Sequence, residues 1–427
     1  MRPVELTRPA PGPGQTGRPR QGDLAVGAAL PGAATTVAPT TTAKRSRADQ
    51  PGRPLAPAPR RGGRAAPGRR LAPAPRRGGR AAPGPQGGWE PWRDWAAIAV
   101  LTHGLLLFAA LTQPSPPVLL ALAVPLGVIL STGTLTVLHD AGHRRLSHRR
   151  GWLNVLAVQT AVPVGLWVGH WTLKHRVHHR ATAVYPVDDA THASALIRLH
   201  PAVPRRAIHR YQHLYAWPLY GLAWLGELQS QLTYLWTGRI DGTRTPGRGR
   251  RAASFAAEKT MCVAVLAPYA VLLGLGRLTL LLLAAMTIAG VLAAVVLVVG
   301  HINIGLVPST QVPAGREWAA HLVRTTASFS TGSRAVRWLT GGMTHHLAHH
   351  LRPAAPRHQL PMIHVRTATA LANEAAEPLR DFPTLRAAVR GHGARLRELG
   401  RSDRPSPIGA LAMRSDRLAV HRDPRDG

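Results

Sequence analysis

Three short stretches carry histidines at spacings that suit metal binding. They read HDAGH, with His139 and His143; HRVHH, with His175, His178 and His179; and HHLAHH, in which His346, His349 and His350 repeat the spacing of the second. Residues three or four apart lie on one face of a helix, about one turn apart. Each stretch is therefore expected to present its rings along one stripe toward a common point. His301, in GHINIG, closes a long apolar run and is expected to join them. Neutral imidazole is a good metal ligand, whereas protonated imidazoles in a cluster repel one another. Nine imidazoles exceed the about four to six ligands that one transition-metal ion takes, and suit two ions.

Imidazole accepts zinc, copper, iron and nickel alike, so donor type alone does not name the metal. The glutamates that carboxylate di-iron bundles supply in Glu-x-x-His are missing around these stretches. The single cysteine, Cys262, excludes a cysteine-rich zinc or iron–sulfur site and an intramolecular disulfide. Isolated histidines such as His103 and His192 are expected to be hydrogen-bonded or solvent-facing. His148, His170 and His345 fall off the stripes their neighbours define and are expected to do the same.

Four apolar runs stand where they can place these groups: about 95–113, 117–138, 260–276 and 278–300. Each approaches the ~20 residues a helix needs to cross a bilayer. The connectors are PSP in the first pair and Arg277 in the second, so the fold is expected to be all-α and integral to a membrane, with four transmembrane helices in two hairpins. Arginine and lysine crowd HRRLSHRR (143–150), TGRIDGTRTPGRGRR (237–251) and both tails. The positive-inside rule therefore predicts cytoplasmic termini and a cytoplasmic central segment. The stretches 152–171 and 215–236 carry Trp, Tyr and Pro and are expected to lie along the interface. Only then do all four histidine groups share the cytoplasmic face, in a helical cap over the spans.

Outside this region the composition changes. Residues 1–88 are rich in Pro, Gly, Arg and Ala and hold the repeat LAPAPRRGGRAAPG at 55–68 and 71–84. So little apolar surface predicts a disordered tail, not a secretory signal. Residues 376–427 are expected to form a cytoplasmic amphipathic helix and a polar tail. The formal net charge is +33, yet the basic tail lacks the aromatic residues and folded face that nucleic-acid binding requires. Anionic membrane lipids are the better match for that charge.

With these motifs in place, residues 90 to about 375 resemble the membrane fatty acid desaturase superfamily, acyl-CoA and acyl-lipid types included. HDAGH, HRVHH and HHLAHH are similar to its three histidine boxes. WTLKHRVHHRATAVYPVDDA resembles the surroundings of the second box, and RTTASFSTGSRAVRWLTGGMTHHLAHHLRPAAPRHQLPMI those of the third. The resemblance implies a non-haem centre of two iron ions, with O2 as co-substrate. It implies His139, His143, His175, His178, His179, His346, His349 and His350 as ligands, and His301 as the extra histidine at the end of the fourth span. Some relatives have Gln where this chain has His346, and Arg144 and Arg145 are bulkier than the small residues expected there.

The implied reaction removes two hydrogens from a fatty acyl chain carried by CoA, a carrier protein or a lipid. Asp140, Asp188, Asp189 and Asn303 are candidates for orienting the ligands. No HPGG haem segment, flavin fingerprint or cysteine set is present. Electrons are therefore expected from a separate ferredoxin or cytochrome b5-type donor with its reductase. Hydroxylases and ketolases of the superfamily share such boxes; the third-box surroundings favour desaturation. A metal transporter would place polar ligands inside the spans, which are nearly free of them. A metal-binding protein without catalysis would need no slot for a substrate.

Overall fold

The computed structural model describes residues 89–402, apart from 192–194, 241–242, 244, 316 and 374–378. The segment 1–88, His192, the junction near 375 and the tail beyond 402 lie outside the described residues.

The first apolar run forms α1 (Glu90–Thr112), which opens with an acidic residue and Pro91 in its first turn. Both suit a helix start: proline has no amide to leave unpaired there, and a carboxylate meets the positive end of the helix dipole. Three residues later α2 (Pro116–Gly133) begins, again on proline. It continues through a π-helical turn, Thr134–Leu138, into the short α3 (His139–Gly142). The stretch 152–171 is broken into α4 (Gly151–Ala161) and α5 (Val168–Arg180). Pro163 lies in the break, where it cannot continue a helix, and Gly165 takes a positive φ of 72°. The stretch 215–236 is likewise divided, into α6 (Gln212–Tyr220) and α7 (Ala223–Thr237). With lengths of 11, 13, 9 and 15 residues, none of these four reaches the ~20 that a bilayer crossing needs.

The second apolar pair becomes α8 (Arg248–Leu273) and α9 (Leu275–His301). α8 starts well before the predicted 260 because its Arg- and Ala-rich approach favours helix. Beyond α9 come α10 (Glu317–Thr325), β1 (Ala327–Phe329), α11 (Arg334–Leu339), α12 (His346–Leu351), α13 (Leu360–Asn373), β2 (Arg380–Phe382) and α14 (Leu385–Arg401). β1 and β2 pair in parallel, Ala327 opposite Arg380 and Phe329 opposite Phe382. The expected all-α fold thus carries one small two-stranded sheet.

Among the described residues, four helical stretches are long and apolar enough to cross a membrane: Glu90–Thr112, Pro116–Gly142, Arg248–Leu273 and Leu275–His301. α2 packs along α9, and the main apolar cluster joins Ile98 and Leu106 of α1 to Leu126 and Leu130 of α2, Val158 of α4, and Leu281 and Ala285 of α9. Outward-facing residues are apolar too; Val100 is 70% exposed and Val271 82%. Such faces suit lipid and would be a liability in water.

A candidate metal centre of nine histidines

The centre begins where α2 widens. The turn Thr134–Leu138 closes with π-helical rather than α-helical bonds, and such turns recur at functional sites. Gly341, at φ 61°, packs so closely on the Leu135 carbonyl that any Cβ there would overlap it. The segment leading into α12 is thereby seated against the widened turn. His139 and His143 follow directly, on and just after α3.

The nine histidines fall into two groups. One holds His139, His143, His175, His179 and His349; the other holds His178, His301, His346 and His350. Within each, the potential ligand atoms lie within 4.8 Å of one another. The expectation that each triplet shares one stripe is corrected here. His175 and His179 stay together while His178 turns to the other group; His346 and His350 stay together while His349 turns. The reason is helical phase: the third and fourth residues after a given one lie on either side of it, about 100° apart.

Ring nitrogens point at one another. Nε2 of His349 lies 3.1 Å from that of His139 and 3.1 Å from that of His179. Nε2 of His175 lies 3.0 Å from that of His179 and 2.9 Å from that of His143. In the second group the Nε2 atoms of His350 and His301 are 3.1 Å apart. A ring nitrogen offers, in its plane, one hydrogen or one lone pair. His175, His179 and His349 each touch two other Nε2 atoms, so hydrogen bonds among the rings cannot satisfy the set. A cation can. Imidazole nitrogens ~2.1 Å from a transition-metal ion and at right angles lie ~3.0 Å apart, which matches the observed spacing. The donors fit metal ions.

Three rings of the second group are oriented from outside, while Nδ1 of His346 is buried without a partner among the described residues. His178 donates Nδ1–H to Asp188 Oδ2 at 2.9 Å, and His301 donates Nδ1–H to the Thr325 carbonyl at 3.2 Å. Thr182 Oγ1 gives its hydrogen to the His178 carbonyl, so at 3.2 Å it accepts from His350 Nδ1–H. His321 Nε2–H in turn donates to the Thr182 carbonyl at 2.7 Å. With Nδ1 protonated in these three rings, the Nε2 lone pair is free for a metal. The ring of His346 packs against Gly300, where no side chain would fit. In the first group Trp171 stacks on His175 with ring centroids 4.4 Å apart. The Nδ1 atoms of His139 and His179 are buried without a partner among the described residues.

Burial holds His175, His179, His346, His349 and His350 well below the usual imidazole range, and neighbouring rings push the same way. Burial and then Arg145 lower His143 to about 4. These rings are neutral at physiological pH, as metal ligands must be. His178 differs: burial is the largest influence and would lower it, but the charge and hydrogen bond of Asp188, with Asp189 adding to them, raise it on balance.

Of the four candidate orienting groups, Asp188 alone touches one of the nine histidines. It also accepts from the amides of Ala183 and Ala190. The other three are drawn elsewhere. Asp140 is taken by Arg145 and Arg357, Asp189 by Lys174 at 2.9 Å, and Asn303 by the carbonyls of Val299 on α9 and Ala388 on α14. The remaining histidines have other work. His103 meets Tyr269 and the Thr160 carbonyl, His170 meets Glu227, His345 meets Thr344, and His148 is exposed. Thr182, Thr325 and His321 were not expected at the site. Thr182 had a signal, four residues after His178, but a backbone acceptor such as Thr325 leaves none in side-chain type.

A fatty acid desaturase family model matches residues 114–378, more than half of the chain. Among curated proteins the chain is similar to an sn-1 linoleoyl-lipid 6-desaturase of Arthrospira platensis, 26% identical over 54% of this chain and 64% of that protein. It is similar to the sn-1 linoleoyl-lipid 6-desaturase of Synechocystis sp., 26% identical over 67% of this chain and 82% of that one. An acyl-lipid (8-3)-desaturase of Physcomitrium patens is 27% identical over 65% of this chain and 60% of its own length. The matched region thus spans less than two thirds of the Arthrospira and Physcomitrium proteins.

Proposed function

This chain belongs to the fatty acid desaturase family, and from that premise we propose that it is an O2-dependent oxidoreductase that introduces a double bond into a lipid-linked fatty acyl chain. It is an integral membrane protein, with four helices long and apolar enough to cross a bilayer. The observation that carries the reading is the convergence of nine histidine ring nitrogens in two groups, each with its ligand atoms within 4.8 Å of one another. The family implies non-haem iron, and nitrogen donors suit it. The lipid-linked substrate is inferred from these three relatives, which are acyl-lipid or linoleoyl-lipid desaturases.

Bound iron would supply the oxidant that removes hydrogen from an unactivated methylene, using O2 and externally supplied electrons. In balance, O2, two electrons, two protons and two hydrogens from neighbouring methylenes leave as two waters, and the acyl chain gains its double bond. His139, His143, His175, His179 and His349 would hold one ion; His178, His301, His346 and His350 would hold the other. Asp188, Thr182 and the Thr325 carbonyl keep Nδ1 protonated in their partner rings, so that each Nε2 stays a ligand. Five of the nine rings are buried and four partly buried, which limits the access of water to the site.

In the membrane, α1 with α2 and α8 with α9 form two hairpins, and the shorter α4 to α7 lie along the interface. The arginines near 144–150 and 248–251 support a cytoplasmic side for the histidines and both termini. Residues 89–375 form the catalytic region. A separate acidic ferredoxin or cytochrome b5-type protein, served by its reductase, delivers electrons to that basic face.

Expression in a host of known lipid composition, with a competent donor, tests the proposal by fatty acid analysis. New double bonds in lipid-linked chains are expected. Hydroxylated chains would assign oxygen insertion instead. Unchanged lipids despite full iron loading would contradict an acyl-lipid substrate.

A further inference from the structure

A buried chain of alternating charges joins three segments that lie far apart in sequence. Arg357, in the turn Arg357–Gln359 between α12 and α13, places Nη2 2.7 Å from Asp94 Oδ2 on α1 and 2.8 Å from Asp140 Oδ2 on α3. Asp140 Oδ1 accepts from Arg145 at 2.9 Å, and Asp94 Oδ1 accepts from Arg93 at 3.0 Å. Asp94, Asp140 and Arg357 are 3%, 1% and 7% exposed, so water screens these pairs little.

Stability alone is a weak reason to keep such a cluster. Removing several charges from water is costly, and well-packed apolar residues of similar volume often do as well or better. What the charges add is orientation. Guanidinium is a planar, rigid fork, and here both Asp140 oxygens are held, each by a different arginine. Asp140 stands between His139 and His143, on a single helical turn that directly follows the π-helical widening. Its side chain is therefore the handle by which the rotation of α3 can be set.

We propose that Arg357, backed by Asp94, is a positioning residue that fixes α3 and so aims His139 and His143 into the five-histidine group. The inference rests on the metal-site reading of that group. The four-histidine group has its own outer partners in Asp188, Thr182 and the Thr325 carbonyl, and does not depend on Arg357.

The test uses the full-length protein purified from membranes and loaded with isotopically enriched iron. Iron per chain and the Mössbauer spectrum are recorded before and after a chelator challenge. Direct partners of ligating histidines typically change metal affinity ~10–100-fold; Arg357 acts through α3, and Arg357→Gln is expected to lose about half of its iron, that of the five-histidine group, under conditions that wild type withstands. The surviving spectrum should match one of the two wild-type components, and Asp188→Asn should weaken the other. Arg357→Lys keeps the charge without the fork and is expected to recover part of the loss. Should Arg357→Gln fail to fold because Asp94 and Asp140 then face each other with no guanidinium between them, Arg357→Gln with Asp94→Asn removes one of those charges. That double variant is expected to fold and still lose iron from the same group. A folded variant that keeps wild-type iron and both spectral components overturns the proposal, as does equal loss from both groups. Wild-type protein that binds no iron would overturn the metal-site reading itself, and this inference with it.

Discussion

His178 donates a 2.9 Å hydrogen bond to Asp188, a carboxylate that is 1% exposed and also bound by two backbone amides. The pair gives one metal-site ring a fixed tautomer and raised basicity, a role that carboxylates commonly play behind histidine ligands.

Asp188→Asn keeps the size and one acceptor but removes the charge. Metal affinity at the four-histidine group is expected to fall ~10–100-fold, read as faster iron loss to a chelator. Asp188→Leu should lose more, because His178 Nδ1–H then has no acceptor. An Asp188→Leu variant that holds iron as wild type does would remove Asp188 from the site.

His392 on α14 supplies a pH-dependent contribution away from the histidine groups. It donates Nδ1–H to the Ile302 carbonyl at 2.6 Å and accepts the Tyr220 hydroxyl at 2.7 Å, tying α14 to α6 and the end of α9. Burial is the largest cause of its lowering to about 4. The unfolded chain therefore binds this proton first. Stability is full above the unfolded value, ~6.5, and falls as pH drops from there toward about 4. At 1.36 kcal/mol per unit, the loss amounts to about 3 kcal/mol. Thermal unfolding in detergent across that range should show His392→Gln less pH-sensitive than wild type. Identical slopes would contradict a buried neutral His392.

Topology follows from the distribution of arginine. In a Cys262→Ser background, single cysteines replacing Arg149 and Arg334, both exposed, should react with a membrane-impermeant reagent from the same side. A cysteine replacing Ser115, between α1 and α2, should react from the opposite side. Labelling of Arg149→Cys and Arg334→Cys from opposite sides would place the histidine groups across the bilayer from each other, and the centre could not form.

The contrast between what was and was not legible in the chain is one of range. Eight of the nine histidines are visible because their signal is local, a spacing of three or four residues, and His301 because it closes an apolar run. The four long helices are visible for the same reason, although the polar start of α8 at Arg248 is hidden from a search for apolar residues. Helical phase divides HRVHH and HHLAHH, but which rings of the two stretches join each other depends on how their helices face, and that is decided by packing. Arg357 and Asp94 meet across most of the described chain, with no periodic pattern to mark either. Asp140 and Asp189 look like metal-site carboxylates by position, yet nearby basic side chains claim them. The parallel pairing of β1 with β2 joins two three-residue segments, too short to declare themselves.

The most direct test of the whole account is metal analysis of the purified full-length protein, combined with X-ray absorption at the metal edge. About two irons per chain, surrounded by nitrogen donors at ~2.1 Å, are the expected result. Protein that is folded and active in lipid desaturation but free of iron, or whose metal is ringed by sulfur or carboxylate oxygen instead of imidazole, would contradict it.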